Sequence, residues 1–277
     1  MSTKTEQFHS ISFPDQSLYD ETFLQHCIQN RIQAIRFDGP ESYLQELNRN
    51  GEERMNFQKT LQVSYSEFFR NSLTFSVLEK VVLPELIHRA HRDKRTKLRI
   101  WSMACASGQE AYSLAILLEE CLEQQSEAIE YQLFASDQSA SEIECSSEGC
   151  YSKNDMANVN LKRLDRWFLR KNDGYVVKQE LRRNIHFSVF DVVSNPQSCP
   201  PDSIFGEFDL IFCANLLFYY KAESQDTILH KAETALSKGG YLVTGEVERS
   251  LVRQRLFKEH YPHSAIFQKN TDNSLSK

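Results

Sequence analysis

The sequence predicts an α/β fold: a doubly wound, largely parallel sheet with a small β-hairpin insert, preceded by a small all-α domain. Three observations carry this expectation. Residues 1–63 show helical spacing and no strand pattern. From residue 97 onward, short apolar runs alternate with helical stretches, as in strands joined by crossover helices. At 99–120, "RIWSMACASGQEAYSLAILLEE", an apolar run breaks at small residues and one glycine, then turns helical. This is a strand, a tight turn and a helix, and such sheets hold ligands beyond the carboxyl ends of their strands.

The elements follow in chain order. Residues 18–36 predict a helix, with Asp20 as cap and Phe23, Leu24, Cys27, Ile28, Ile32 and Ile35 at three-to-four spacing. Gly39 and Pro40 stop it, and 41–49 and 52–62 predict two further short helices. Residues 67–92 predict a linking helical segment interrupted at Pro84. Strands are expected at 97–104, 131–137, 185–192, 239–246 and 264–269, with another opening the run 208–220. Helices are expected at 109–124, from 139 onward, and at 222–237. The insert at about 166–187 centres on Asn172-Asp173-Gly174, a tight-turn signal. The expected domains are thus 1–63 and 64–277.

Composition narrows the function. The chain has 277 residues, 40% of them hydrophobic and 25% charged, which is ordinary for a globular protein. A net charge of −6 argues against a general nucleic-acid binder. Seven scattered cysteines, with no C-x-x-C pair and no zinc spacing, predict buried reduced thiols and no metal. The opening "MSTKTEQFHS" has no signal-peptide core, and no run approaches the ~18–20 apolar residues of a membrane span. A cytoplasmic protein without membrane insertion is expected. His88 and His91 lie one helical turn apart but have no third ligand in view, and the basic run 88–97 is expected to be an exposed link.

Polar groups gather at the expected strand ends. Small residues from Ala104 to Gly108 let a ligand approach the backbone closely. Glu110 follows in the first helical turn, where it either complements the helix dipole or meets the ligand. Asp137 closes the second strand, where an acid either caps the next helix or bonds ribose hydroxyls. Asp191 either caps a turn or accepts from an adenine amino group, and Asn215 and Tyr219 follow the fourth strand. There is no triphosphate loop and no G-x-G-x-x-G, which disfavours an NAD-dependent enzyme. An adenosine-bearing ligand without phosphate, such as S-adenosylmethionine, suits the turn better.

Four segments then carry a family resemblance: "SEFFRNSLTF" (66–75), "LRIWSMACASGQEAYSLAILL" (98–118), "FASDQSASEIECSSEGCYS" (134–152) and 208–248. In order and spacing the chain resembles, over about 18–269, the CheR family of S-adenosylmethionine-dependent protein-glutamate methyltransferases of bacterial chemotaxis. The resemblance implies a Rossmann-like methyltransferase sheet and methylation of glutamates on the cytoplasmic helical region of a chemoreceptor by a monomer, with S-adenosylhomocysteine as product. It implies cofactor contacts at Ser64, Ser66, Arg70, Ala104, Glu110, Asp137, Asp191, Val192, Ala214 and Asn215. It implies catalytic roles for Tyr219, nearest the methyl group, and for Arg70, which guides the substrate carboxylate.

Three departures matter. The family's C-R-N is here Cys213-Ala214-Asn215, so an arginine that would orient a carboxylate is absent. The first helix, expected to touch the receptor, keeps only His26, Arg31 and Arg36. The insert is short around "KNDGY", which implies no grip on a receptor C-terminal peptide. Two alternatives stay open. One is a CheR-like protein that binds S-adenosylmethionine as a sensor or scaffold with little turnover. The other, a methyltransferase of small carboxylic acids, is disfavoured by the helical N-terminal module.

Overall fold

The computed structural model describes residues 16–62, 65–124, 129–203, 206–252 and 257–269. The chain divides into two units, Met1–Val63 with Phe218–Thr227 and Ser64–Leu217 with Ile228–Lys277. A stretch from late in the chain thus belongs with the first unit, which a boundary at 63 and 64 alone does not convey.

The first unit is built on α1 (Glu21–Ile35), α2 (Pro40–Arg49) and α3 (Gly51–Leu61). The Asp20 carboxylate accepts from the Thr22 and Phe23 N–H groups at 2.9 and 3.1 Å, satisfying donors that α1 cannot pair internally. Arg36 in the left-handed region and Gly39 at φ 90° turn the chain, and Pro40 starts α2. Asn50 caps α3. The three helices bury Cys27, Ile28, Tyr43, Leu44, Leu47, Phe57 and Leu61.

Inside this cluster Arg31 donates through Nε and Nη2 to both Glu53 oxygens, at 2.7 and 2.8 Å. The Tyr43 hydroxyl adds a third bond at 2.7 Å. Arg31 therefore ties α1 to α3 rather than presenting a free docking charge, because its bidentate fork fits a carboxylate already held by a tyrosine. The Arg31 hydrogen bond, set against burial, holds the Glu53 carboxyl below its ordinary value. This contribution is present above the ordinary carboxylate pKa of ~4.3 and is lost as pH falls through that range. Glu53→Gln is expected to cost about 1–3 kcal/mol at pH 7. Urea unfolding of the full chain at pH 7 and at pH 4 checks this, because the deficit should shrink at the lower pH.

The late segment joins the first unit through backbone pairing. Tyr19 bridges Tyr220 and stacks on it at 5.0 Å, and Asp20 N–H donates to the Tyr219 carbonyl at 2.9 Å. The Tyr219 ring lies 4.9 Å from Phe23 and 4.2 Å from Phe218.

The second unit holds strands β1 (Lys97–Ser102), β2 (Glu130–Asp137), β3 (Cys150–Ser152), β4 (Phe168–Lys171), β5 (Gly174–Val177), β6 (Ile185–Val189), β7 (Phe208–Cys213), β8 (Leu236–Thr244), β9 (Phe257–Glu259) and β10 (Ile266–Lys269). Its helices before the insert are α4 (Ser72–Val77), α5 (Leu83–Arg92), α6 (Gln109–Leu122) and α7 (Ala140–Glu148). They are followed by α8 (Leu161–Trp167), α9 (Gln179–Arg182), α10 (Ala222–Ala235), whose residues up to Thr227 fall in the first unit, and α11 (Arg249–Val252). Seven strands form one sheet in the order β6-β2-β1-β7-β8-β10-β9. The first five in that order are parallel, while β10 runs antiparallel to β8 and to β9. The chain moves outward from β1 to β2 to β6, then returns to the other side of β1 with β7. The order therefore reverses between β1 and β7, which is where such a sheet opens a crevice. β7, "FDLIFC", is buried along its whole length, as a central parallel strand must be.

Three expectations change. Pro84 does not interrupt the helix. The chain winds through a π turn at Leu78–Val82, and Leu83 N–H reaches Leu78 O five residues back. Pro84 has no N–H to offer Lys80, and the wider turn absorbs the missing bond. The basic run is not a bare link. Arg95 donates to buried Asp209 at 2.8 Å, with Arg89 at 3.6 Å from the same oxygen, and Arg89 also donates to the Gly239 carbonyl at 2.6 Å. These bonds anchor α5 to the start of β7. The insert also begins earlier than 166. Its hairpin β4–β5 turns at Asn172 and Asp173 as expected, but β3 adds a third strand in the order β3-β5-β4. Strand β3, three residues long, directly follows the cap of α7, so its pattern merges with the helix end.

Among the described residues no helix is long and apolar enough to cross a membrane, and no group of His, Cys, Asp and Glu could hold a metal.

Candidate functional site

The turn after β1 is shaped by its small residues. Ala106 has φ +45° and Gly108 φ +93°, and Gly108 ends the turn one residue before α6. A Cβ on Gly108 would come within 2.7 Å of Ser146 Cβ on α7, so only glycine permits this approach. The Tyr151 hydroxyl on β3 clasps the turn from outside by donating to the Ser107 carbonyl at 2.8 Å.

Asp137, at the end of β2, faces this turn. Its Oδ2 accepts from Ala106 N–H at 3.0 Å and its Oδ1 from Ser139 N–H at 2.9 Å. The helix cap is Ser139 rather than Asp137, since Ser139 Oγ accepts from Glu142 N–H. Burial raises the Asp137 pKa, opposed by the Ser139 and Ala106 N–H groups. The Gln138 N–H adds to these two donors, and an ionised carboxylate offers about four acceptor sites in all. The carboxylate is thus oriented, with capacity left to accept from a ligand.

Glu110 is the second residue of α6. Ser102 Oγ, at the end of β1, donates to it at 2.7 Å. Part of its side chain is still open to solvent, yet burial pushes its carboxyl up to about 8, against the Ser102 bond and the Arg70 charge, while Glu248 adds to the rise. Phe69 N–H bonds Ser113 Oγ at 3.0 Å, one helical turn beyond Glu110, and this pins the 66–70 segment to α6. Arg70 is exposed, with its guanidinium 4.9 Å above the Tyr65 ring. Ser66 is half-buried in the same segment. Ser64 lies outside the described residues.

Phe190 N–H bonds the Asp137 carbonyl at 2.9 Å and so sets Asp191 and buried Val192 beside the end of β2. Asp191 Oδ1 accepts from Val193 and Ser194 N–H at 2.9 and 3.0 Å. Of the two roles open to it, capping a turn is therefore filled through one oxygen. Past β7, Ala214 packs partly buried on the core and Asn215 takes a left-handed φ of +59°. Asparagine tolerates that conformation better than other side-chain-bearing residues.

The structure thus gathers Ala104, Glu110, Asp137, Asp191, Val192, Ala214 and Asn215 at the carboxyl ends of β1, β2, β6 and β7, with Arg70 coupled electrostatically to Glu110. Tyr219 belongs to the first unit, among Tyr19, Phe23, Phe218 and Tyr220. Sequence reasoning missed Ser102 and Glu248. The signal for Glu248 was faint: a glutamate three residues after Gly245, the spacing at which a side chain reaches back to a helix start.

A doubly wound sheet with a glycine-poor turn, an acid opening its first crossover helix and an acid closing its second strand defines the Rossmann-like methyltransferase class. The chain belongs to the CheR methyltransferase family, whose SAM-binding domain matches residues 64–264. It is 31% identical over 237 residues to a chemotaxis protein methyltransferase of Listeria innocua, covering 86% of this chain and 85% of that one. It is 36% identical over 185 residues to chemotaxis protein methyltransferase 1 of Pseudomonas aeruginosa, covering 65% and 64%. Against the chemotaxis protein methyltransferase of Salmonella typhimurium it is 30% identical over 232 residues, covering 81% and 75%. The protein is an S-adenosylmethionine-dependent methyltransferase.

Proposed function

We propose that this protein methylates glutamate side chains on the cytoplasmic helical region of a chemoreceptor, yielding glutamate methyl esters and S-adenosylhomocysteine in sensory adaptation. The names of the relatives support the chemotactic setting. The observation that carries the reading at the site is the pair of acids, Asp137 and Glu110, on the rim at the order reversal. Asp137 is oriented by backbone N–H groups and has acceptor capacity that suits a ribose diol. Glu110 is a half-buried carboxyl with a raised pKa, and the positively charged methionine end of the cofactor would favour its ionised form. The turn at 104–108 has no room for a side chain at Gly108, and its small residues suit close contact with a nucleoside.

In this reading Asp137 takes the ribose, Glu110 the methionine end, Asp191 and Val192 the adenine side, and Ser64, Ser66, Ala104, Ala214 and Asn215 complete the lining. When bound, the cofactor supplies a methyl group on a positive sulfur, which a glutamate carboxylate can accept without a strong base because its pKa is ~4.3. Catalysis by the chain is then positioning and exclusion of water. Arg70 guides the substrate carboxylate, and with alanine at 214 it does so without the neighbouring arginine. Tyr219 orients the reacting groups.

The test uses S-adenosylmethionine labelled on its methyl group, receptor-rich membranes from the source organism, and mild base after the reaction. Carboxyl methyl esters release volatile methanol and N-methyl groups do not. Tyr219→Phe is expected to lower turnover by ~10- to 100-fold, the worth of one bond to a charged group, while leaving cofactor affinity within about twofold. Label that stays non-volatile would overturn the glutamate assignment. Unchanged turnover in the variant would remove Tyr219 from the chemistry.

A further inference from the structure

Glu248 is fully buried and closes the short helical turn that follows β8. Its Oε2 accepts from Asn215 N–H at 2.9 Å and Gly245 N–H at 2.7 Å, and its Oε1 from Leu217 N–H at 2.7 Å. The three donors come from two neighbouring strand ends: Gly245 follows β8, while Asn215 and Leu217 follow β7. Asn215 is left-handed, so the chain leaves the sheet here and these N–H groups have no ladder to join. A carboxylate has only acceptors and therefore matches such a set of donors. Gly245 completes the cradle. A Cβ there would meet Glu248 Oε2 at 2.7 Å, Asn215 Nδ2 at 2.9 Å and Asn215 N at 3.1 Å.

We propose that Glu248 is a positioning residue of the methyl-transfer site, holding the 214–217 turn in its working shape and supplying a second negative charge that favours a positively charged ligand over a neutral one. The proposal rests on the reading in which Asn215 and Glu110 line the cofactor site. The groups that share the field around Glu110 are Arg70 ahead of α4, Cys105 in the turn, Cys213 at the end of β7, and Glu248. Of these, Arg70 is positive and opposes the rise at Glu110, and Glu248 adds to it. S-adenosylmethionine carries a sulfonium, and S-adenosylhomocysteine carries a neutral thioether in its place. A sulfonium beside these carboxyls favours their ionised forms, so the pair raises the affinity for the methyl donor relative to that for the spent product.

The experiment is calorimetric titration of the full chain with S-adenosylmethionine and with S-adenosylhomocysteine from pH 6 to 9, on wild type, Glu248→Gln and Glu248→Asp, together with steady-state kinetics. If the wild type binds neither ligand, the site reading itself fails, separately from the role of Glu248. Glu248→Gln is expected to cut the affinity ratio of donor to product by about tenfold and to move the pH midpoint of binding downward, since Glu110 loses a like charge. Glu248→Asp keeps the charge but shortens the reach. It should retain the ratio and the midpoint while kcat falls by about tenfold or more at a near-constant KM for the donor. An unchanged ratio and midpoint in Glu248→Gln, or an unchanged kcat in Glu248→Asp, overturns the proposal. Amide hydrogen exchange on the ligand-free wild type needs no variant. Asn215, Leu217 and Gly245 N–H should be protected, and exchange at the rate of open loops overturns the holding role.

Discussion

Asp137→Ala is expected to weaken S-adenosylmethionine binding by ~100- to 1000-fold, since it removes an acceptor for two ribose hydroxyls at about 1.5–2 kcal/mol each. The same change strips Ala106 and Ser139 of their N–H partner, so the turn that approaches the nucleoside loosens as well. Two readouts separate these effects. Calorimetry reports affinity, and the thermal midpoint without ligand reports the turn, which should fall by only a few degrees for the loss of two part-buried backbone bonds. Asp137→Asn is the sharper control, because an amide oxygen can still take one backbone N–H while its NH2 group meets the other donor. A variant that binds with wild-type affinity would sink the placement of the ribose.

Glu110→Gln is expected to act in opposite directions on binding and on stability. In the ligand-free fold burial pushes the Glu110 carboxyl to about 8, whereas in the unfolded chain it titrates at ~4.3. Between those values the folded state binds the extra proton. Stability therefore falls as pH rises from ~4.3 to about 8, by up to ~1.4 kcal/mol per pH unit, and levels off beyond both ends. Glutamine does not titrate, and its amide oxygen still accepts from Ser102. The variant should therefore gain on wild type as pH rises, with the higher thermal midpoint at pH 8 and little advantage at pH 5. It should also lose donor affinity by ~10- to 100-fold, since a neutral amide offers a cation no charge. Binding to wild type at pH 7 should release a proton, because a positive ligand lowers the Glu110 pKa. Titration in buffers of different ionisation enthalpy detects that proton in wild type and its loss in the variant. A wild-type titration with no proton release, or a variant no more stable than wild type at pH 8, would show that Glu110 is already ionised in the free protein.

Much of this was legible in the chain itself, and the reason is locality. Asp20 marks a helix start because it meets backbone groups only two and three residues away. The burial of "FDLIFC" follows from an apolar run that only Asp209 interrupts. Asp137 and Glu110 were readable because the strand–turn–helix unit places its own ends, whatever surrounds it. Short-range signals misled where a distant partner decided the outcome. The basic run 88–97 has the composition of a solvated link, yet Arg95 and Arg89 converge on Asp209, more than a hundred residues on. Arg31 suits a docking face until Glu53 and Tyr43 claim it. The π turn that spares Pro84 leaves no trace in composition.

The sequence by itself determined the class of fold, the strand-end acids and the family, because periodicity, caps and motif spacing act over a few residues or over a fixed order along the chain. Only the tertiary structure decided three further matters. It set Asp137 against Ala106 across two strands, it placed 218–227 with the N-terminal helices, and it brought Glu248 to three N–H groups at two strand ends. These depend on strand order in space. A buried carboxylate finds its partners wherever the sheet leaves backbone donors unpaired, and the chain order does not say where that is.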